Sequence, residues 1–123
     1  MKVNANDFGI CGVEQLFYAG SIAFDTEDAS SGVTLAKLPN NVYITRAVAD
    51  VTKAFSAGKV TVGVNAAAND ILGESDVTPA TVGSYSKQTF VKGSTGAEIK
   101  AKLSASASAG SADIYIFFVS IPE

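Results

Sequence analysis

Carboxylates are the side chains with chemical reach that this chain gathers most closely. Asp25, Glu27 and Asp28 form one group, and Asn69, Asp70, Glu74 and Asp76 form another. Oxygen-rich loops of this kind can hold a hard cation such as Ca²⁺, but neither group has the spacing of an EF-hand. Paired carboxylates also cleave glycosidic bonds. That chemistry needs a sugar cleft, and the chain has no tryptophan to line one. Solvated turns are the simpler reading of both groups. The chain has no histidine, so it lacks the commonest general base and imidazole metal ligand. A Ser-His-Asp or Cys-His arrangement cannot be assembled from it.

Cys11 is the single cysteine. It cannot form an internal disulfide, which fits synthesis in a reducing cytoplasm. Four N or S ligands for structural zinc are also missing. Beside Ile10 and Val13, with no activating base in view, Cys11 reads as a small apolar residue. Gly9-Ile10-Cys11-Gly12 lacks the Lys and Ser/Thr of a phosphate-binding loop and reads as turn chemistry. No catalytic residue, metal site or cofactor is expected.

The elements that would carry any site are β-like. At 123 residues the chain suits one domain, and a hydrophobic content of 47% against 17% charged is too apolar for disorder. Val60, Val62 and Val64 alternate along Lys59–Val64, and Ile99, Ala101 and Leu103 alternate with Glu98, Lys100 and Lys102. Period-two alternation describes a strand with one buried face. Strands are also expected at Leu16–Phe24, with Gly20 a bulge or bend, at Gly32–Leu38, and at Gln88–Val91. Val42–Phe55 is read as a strand from its β-branched and aromatic content, although Val48, Val51 and Phe55 also fit helical spacing. A short helical turn is open around Ala66-Ala67-Ala68, and Thr78–Lys87 reads as turn-rich. The Ala/Ser tract Ser104–Ser111 reads as a flexible hairpin loop or as small-residue strand ends.

Ala112–Ile121 differs from the rest, because both of its faces are apolar. Ile114, Ile116 and Phe118 lie on one, with Tyr115, Phe117, Val119 and Ile121 on the other. Such a strand is either central in a core or turned toward another subunit. Ile114, Tyr115, Ile116, Phe117, Phe118 and Val119 are therefore the candidate intersubunit or core strand. The whole pattern predicts an all-β chain: a single antiparallel β-sandwich, jelly-roll-like, of about eight strands. Residues 1–14 are expected to form an N-terminal arm or first edge segment, and residues 15–123 the sandwich.

The net charge of −3, with nine scattered basic residues and one arginine, Arg46, argues against nucleic-acid binding. No apolar run is long enough for a bilayer, so no membrane partner is expected.

One stretch has a familiar pattern. Leu38-Pro39-Asn40-Asn41-Val42-Tyr43-Ile44 through Val51-Thr52-Lys53-Ala54-Phe55 is followed by Thr61-Val62-Gly63-Val64, by the Asn69-Asp70 loop, by Thr81-Val82-Gly83-Ser84-Tyr85, and by Gly110-Ser111-Ala112-Asp113-Ile114-Tyr115-Ile116. This series resembles small β-sandwich virion structural proteins of tailed bacteriophages, of the capsid-decoration or head-fibre-base kind. The resemblance implies a non-enzymatic subunit on the capsid surface, made in the host cytoplasm, that binds and stabilises the phage head. It also implies a homo-oligomer, with a trimer favoured, whose partners are the major capsid protein or other virion proteins. The alternatives are a tail or head-fibre accessory protein, or a stand-alone carbohydrate-binding sandwich using Tyr43, Tyr85 or Asn69.

Overall fold

The computed structural model describes residues 14–120. Cys11, the Gly9–Gly12 motif, Ile121 and nearly all of the expected arm lie outside this range. The described residues form seven strands and no helix: β1 Gln15–Ala23, β2 Val33–Lys37, β3 Val42–Lys53, β4 Val60–Gly63, β5 Gly83–Lys92, β6 Glu98–Leu103 and β7 Ser111–Ser120. One sheet has the order β1-β7-β3-β5 and the other β2-β6-β4, with every pairing antiparallel. Odd-numbered strands build one sheet and even-numbered strands the other. Each connection therefore crosses the sandwich, and no strand pairs with its neighbour in sequence.

The core lies between the sheets because each strand turns alternate apolar residues inward. β3 supplies Ile44, Ala47, Ala49 and Val51, and β7 supplies Ala112, Ile114 and Ile116. They meet Ile99, Ala101 and Leu103 of β6 and Val60 and Val62 of β4. Small residues on the two central strands, Ala47, Ala49 and Ala112, leave room for the branched residues opposite. β3 is extended along its whole length. Helical spacing of Val48, Val51 and Phe55 loses because Val51 joins the core while Val48 faces outward beside Tyr115.

Four local expectations change. The strand expected at Gln88–Val91 extends to Gly83–Lys92, so Gly83-Ser84 opens a strand and the preceding turn lies at Thr78–Thr81. Backbone pairing with β3 makes that polar segment a strand, which side-chain patterning could not reveal. Second, Ala66–Ala68 form no helix: Asn65 accepts from the Ala68 and Asn69 N–H groups and closes a turn. Third, β4 is buried on both faces, not one. Leu72 bridges to Val62, and the Ala68–Asn69 backbone with the Asp70 carboxylate packs over Gly63. Fourth, Ser104–Gly110 is not a hairpin loop, since β6 and β7 belong to different sheets. It is tied to the β3–β4 connection. Lys59 N–H donates to Ser104 Oγ at 2.7 Å, Ser108 N–H to Ser56 Oγ at 2.7 Å, and Ser56 N–H to the Ala109 carbonyl at 3.1 Å.

The acidic groups serve the backbone. Asp70 accepts from Val64 N–H at 2.7 Å. Asp76 accepts from Gly73 N–H at 2.6 Å and pairs with Lys87 at 3.0 Å. Asp28 takes a positive φ and its carbonyl closes the turn to Ser31 and Gly32. Asp70 and Asp76 thus hold turns through their carboxylates, and Asp28 through its main-chain carbonyl.

Partial burial acts to raise the Asp76 pKa, but hydrogen bonds from Lys87 and Gly73, with the Lys87 charge, outweigh it and leave the pKa lowered from 3.8. The unfolded chain therefore takes up the proton first as pH falls. The contribution of Asp76 to stability is complete above its unfolded pKa and fades as pH drops through the folded value. Lys87→Met is expected to cost about 0.5–1 kcal/mol near neutral pH, discounted for solvent screening, and Glu74→Ala about nothing. Urea denaturation at neutral pH and again in strong acid checks this: the gap between wild type and Lys87→Met closes in acid.

Candidate binding face

The two faces of β7 have different surroundings. Ile114 and Ile116 point into the core and are buried. Tyr115, Phe117 and Val119 point out of the sandwich and are half-buried. Phe118 faces inward but sits at the end of the sheet, half-buried beside Phe17, Leu38 and Pro39. The six residues of the two-sided strand thus divide between a core, an outer surface and a sheet end.

Neighbouring strands extend the outer surface. Tyr18 of β1 lies opposite Tyr115, their ring centroids 5.3 Å apart, and Leu16 lies opposite Phe117. On the other side, Arg46 of β3 lies over the Phe117 ring at 4.4 Å. At the β5 edge Phe90 stacks on Tyr43 at 5.2 Å, with the Lys92 ammonium 5.9 Å from the Tyr43 ring. Leu16 is 60% exposed, Tyr18 51% and Phe90 69%. One sheet face therefore presents aromatic and aliphatic groups from all four strands.

Leu16, Tyr18 and Phe90 were not singled out by sequence as part of this surface. The signal for the first two was present. Leu16-Phe17-Tyr18 is apolar on both faces, as the terminal strand is. Phe90 lacks such a cue, because a bulge intervenes: the β3–β5 register shifts between Ile44 and Arg46, and that shift brings Phe90 against Tyr43.

Polar groups mark the two ends of the face. Asp50 and Asp113 are direct cross-strand partners, and like charges so placed repel. Ser84 donates to Asp50 at 3.2 Å and Tyr18 to Asp113 at 3.3 Å. Toward the other end Arg46 pairs with Glu14 at 3.1 Å, and Thr45 also donates to Glu14. Those bonds from Thr45 and then Arg46 hold the Glu14 carboxyl below its ordinary pKa and anchor the start of β1. The face is thus apolar in its middle, acidic at one end and cationic toward the other.

Among the described residues no group of three or more Asp, Glu or Cys side chains is arranged to hold a metal. The suggested sugar-binding trio is not gathered in one place. Tyr43 is on the outer face, whereas Tyr85 packs toward the core and donates to the Thr81 carbonyl at 2.8 Å. Asn69 is held by Asn65 in the loop over β4.

No protein-family model matches this sequence, and no curated protein matches it. Solved structures do match. A chain of the cyanophage Pam1 capsid asymmetric unit aligns with a TM-score of 0.68 at 17% identity, over 99% of this chain and 94% of that one. The fold is one found in a phage capsid. A second match, to a chain of the acid-stable capsid of Helicobacter pylori bacteriophage KHP30, has a TM-score of 0.50 at 13% identity, over 87% of this chain and 93% of that one. At these identities the likeness is one of fold. It spans nearly the whole of each chain, so it concerns the entire sandwich and not a shared strand motif.

Proposed function

We propose that the protein is a non-enzymatic virion structural subunit that binds and stabilises a phage head, as a decoration or accessory protein on the capsid surface. The observation that carries this reading is the aromatic outer face on a sandwich whose fold recurs, end to end, in a phage capsid chain. Fold alone does not assign function. The face adds the physical argument: an apolar surface drawn from four strands gains free energy when a neighbour covers it.

Tyr115, Phe117 and Val119, with Leu16 and Tyr18, form the intersubunit contact in this proposal. A closed homo-oligomer, with the trimer favoured, presents such subunits to a repetitive shell. The major capsid protein is the main partner. The outer edges β1 and β5 are shielded in the assembly, which also guards them against edge-to-edge aggregation.

Co-expression with the major capsid protein of the same genome, followed by density-gradient sedimentation, tests the reading. Comigration with head particles at a constant ratio supports it. A protein that stays at the top of the gradient while particles form counts against it. Light scattering during size exclusion gives the mass of the free protein; a threefold mass supports the trimer and a monomeric mass removes it as the free form.

A further inference from the structure

A groove of about 180 Å³ lies between the start of β1 and the β2–β3 connection, with almost wholly apolar walls. Phe17, Leu38, Val42, Ile99, Ile116 and Phe118 line it. Phe17, on an edge strand, stays 42% exposed there. An apolar cavity of about 150 Å³ holds a benzene molecule, so this groove has room for one phenyl group.

We propose that its occupant is Phe90 of a second copy of this chain. The β1 edge of one subunit then seats on the outer face of the next, beside β5. The inference rests on the homo-oligomer proposed above and names the contact that closes it.

Exposure and position select Phe90. Among the described residues it is the most exposed large apolar side chain. Its stack on Tyr43 covers one face of the phenyl group and leaves the rest free. Leu16, Phe17 and Tyr18 belong to the edge that carries the groove, and Phe24 and Val82 lie toward the opposite end of the sheet.

The strand registers put Phe90 level with the groove. Ile44 pairs with Val91 on one side and Phe118 on the other, and Arg46 pairs with Gln88 and Phe117 in the same way. Phe90 falls between Gln88 and Val91, so it stands level with Phe117 and Phe118 at the far edge of the sheet. Rotation about an axis along the strands keeps those levels from copy to copy. Groove and knob on opposite edges make a heterologous contact, and such a contact without rise along the axis can close into a ring of subunits.

Charge agrees with this placing. β5 carries Lys87 and Lys92 and no carboxylate. Lys92 and Val119 both pair with Tyr43, and Glu14, just before Gln15 and its partner Phe118, falls at that same level. The Lys92 ammonium of one copy therefore meets the Glu14 carboxylate of the next beside the inserted phenyl group. Glu14 already accepts from Thr45 and Arg46, and a carboxylate has about four acceptor sites.

Light scattering during size exclusion of the full-length chain is expected to give a threefold mass that falls to the monomer in Phe90→Ser. The far-ultraviolet spectrum and a cooperative urea transition are retained, because Phe90 is exposed. A threefold mass kept by Phe90→Ser overturns the contact while leaving the oligomer standing. A monomeric or doubled wild-type mass overturns both the contact and the trimer, and comigration with head particles then still decides the virion role.

Disulfide trapping between copies gives a second readout. Cys11→Ser is combined with Gln88→Cys in one chain and with Lys37→Cys in another, so each chain carries one thiol and only two copies can be joined. Lys37 lines the groove, and Gln88 lies beside Phe90 on the outer face, opposite Arg46. Co-expressed and then exposed to oxidised glutathione, which takes up the two electrons and two protons, they are expected to give mainly the disulfide between unlike chains. Disulfides between like chains only, or thiols that stay free, overturn the proposal.

Discussion

Ile114→Asp is expected to leave no cooperatively folded protein, whereas Phe117→Asp on the same strand folds and loses binding to head particles. Ile114 is fully buried, between Gly20 of β1 and Ala49 of β3. An unpaired carboxylate there costs several kcal/mol or forces uptake of a proton. That is comparable with the whole stability of a domain, about 5–15 kcal/mol. The milder Ile114→Ala, which only leaves a cavity, should cost about 2–5 kcal/mol. Phe117 is on the outer face, so its replacement loses the Arg46 contact and some packing, about 1 kcal/mol. Urea denaturation of the three variants and gradient sedimentation of Phe117→Asp with capsids check both halves. A stable Ile114→Asp protein would mean that β7 is placed with its faces reversed. Undiminished particle binding by Phe117→Asp would remove the outer face from the proposed contact.

Gly110→Ala carries the second large expected effect, although it adds a single methyl group. Gly110 sits at φ +135°, a conformation that other residues rarely adopt. Its missing side chain is also where Phe55 packs: an added Cβ would overlap the Cγ–Cδ2 edge of the Phe55 ring and lie 2.8 Å from the Phe55 Cα. Phe55 is itself 3% exposed and held by its N–H bond to the Pro79 carbonyl, so it has little freedom to withdraw. Backbone strain and overpacking together should cost about 3 kcal/mol or more. Thermal unfolding is expected to fall by on the order of 10 °C. Ser108→Ala, in the same crossing loop, is the matched control and should cost at most about 1 kcal/mol. If Gly110→Ala unfolds at the wild-type temperature, the close approach of the β6–β7 loop to Phe55 is wrong.

Gly110 also marks a limit of sequence reading. It closes an Ala/Ser tract, and turn chemistry alone suggests either a hairpin loop or the ends of strands. A hairpin is ruled out by the partner of β7. That strand lies between β1 and β3, about ninety and seventy residues earlier in their registers. Likewise Asp70 and Asp76 were visible as an acidic cluster, but the backbone N–H groups they accept from were not. A side chain's type is written in the sequence, whereas its hydrogen-bond partner depends on where a turn brings the chain back.

The candidate face was legible in part. The pattern of Ala112–Ile121 shows two apolar faces and leaves core and contact open as alternatives. The structure assigns the core to Ile114 and Ile116 and turns Tyr115, Phe117 and Val119 outward. Phe90 could not be joined to them beforehand, because a register shift near Thr45 sets which residues of β5 meet β3.

The sequence by itself determined the all-β class, most strand positions and the absence of histidine-based or multi-cysteine chemistry. Alternation every second residue expresses a local stereochemical rule, and composition excludes a reaction outright. Strand order, the placing of odd and even strands in opposite sheets, and the gathering of Leu16, Tyr18, Tyr43, Phe90 and Phe117 on one surface were decided only by the tertiary structure. Those features depend on pairings between strands distant along the chain. A strand's side-chain pattern says which face is buried but not which backbone lies beside it.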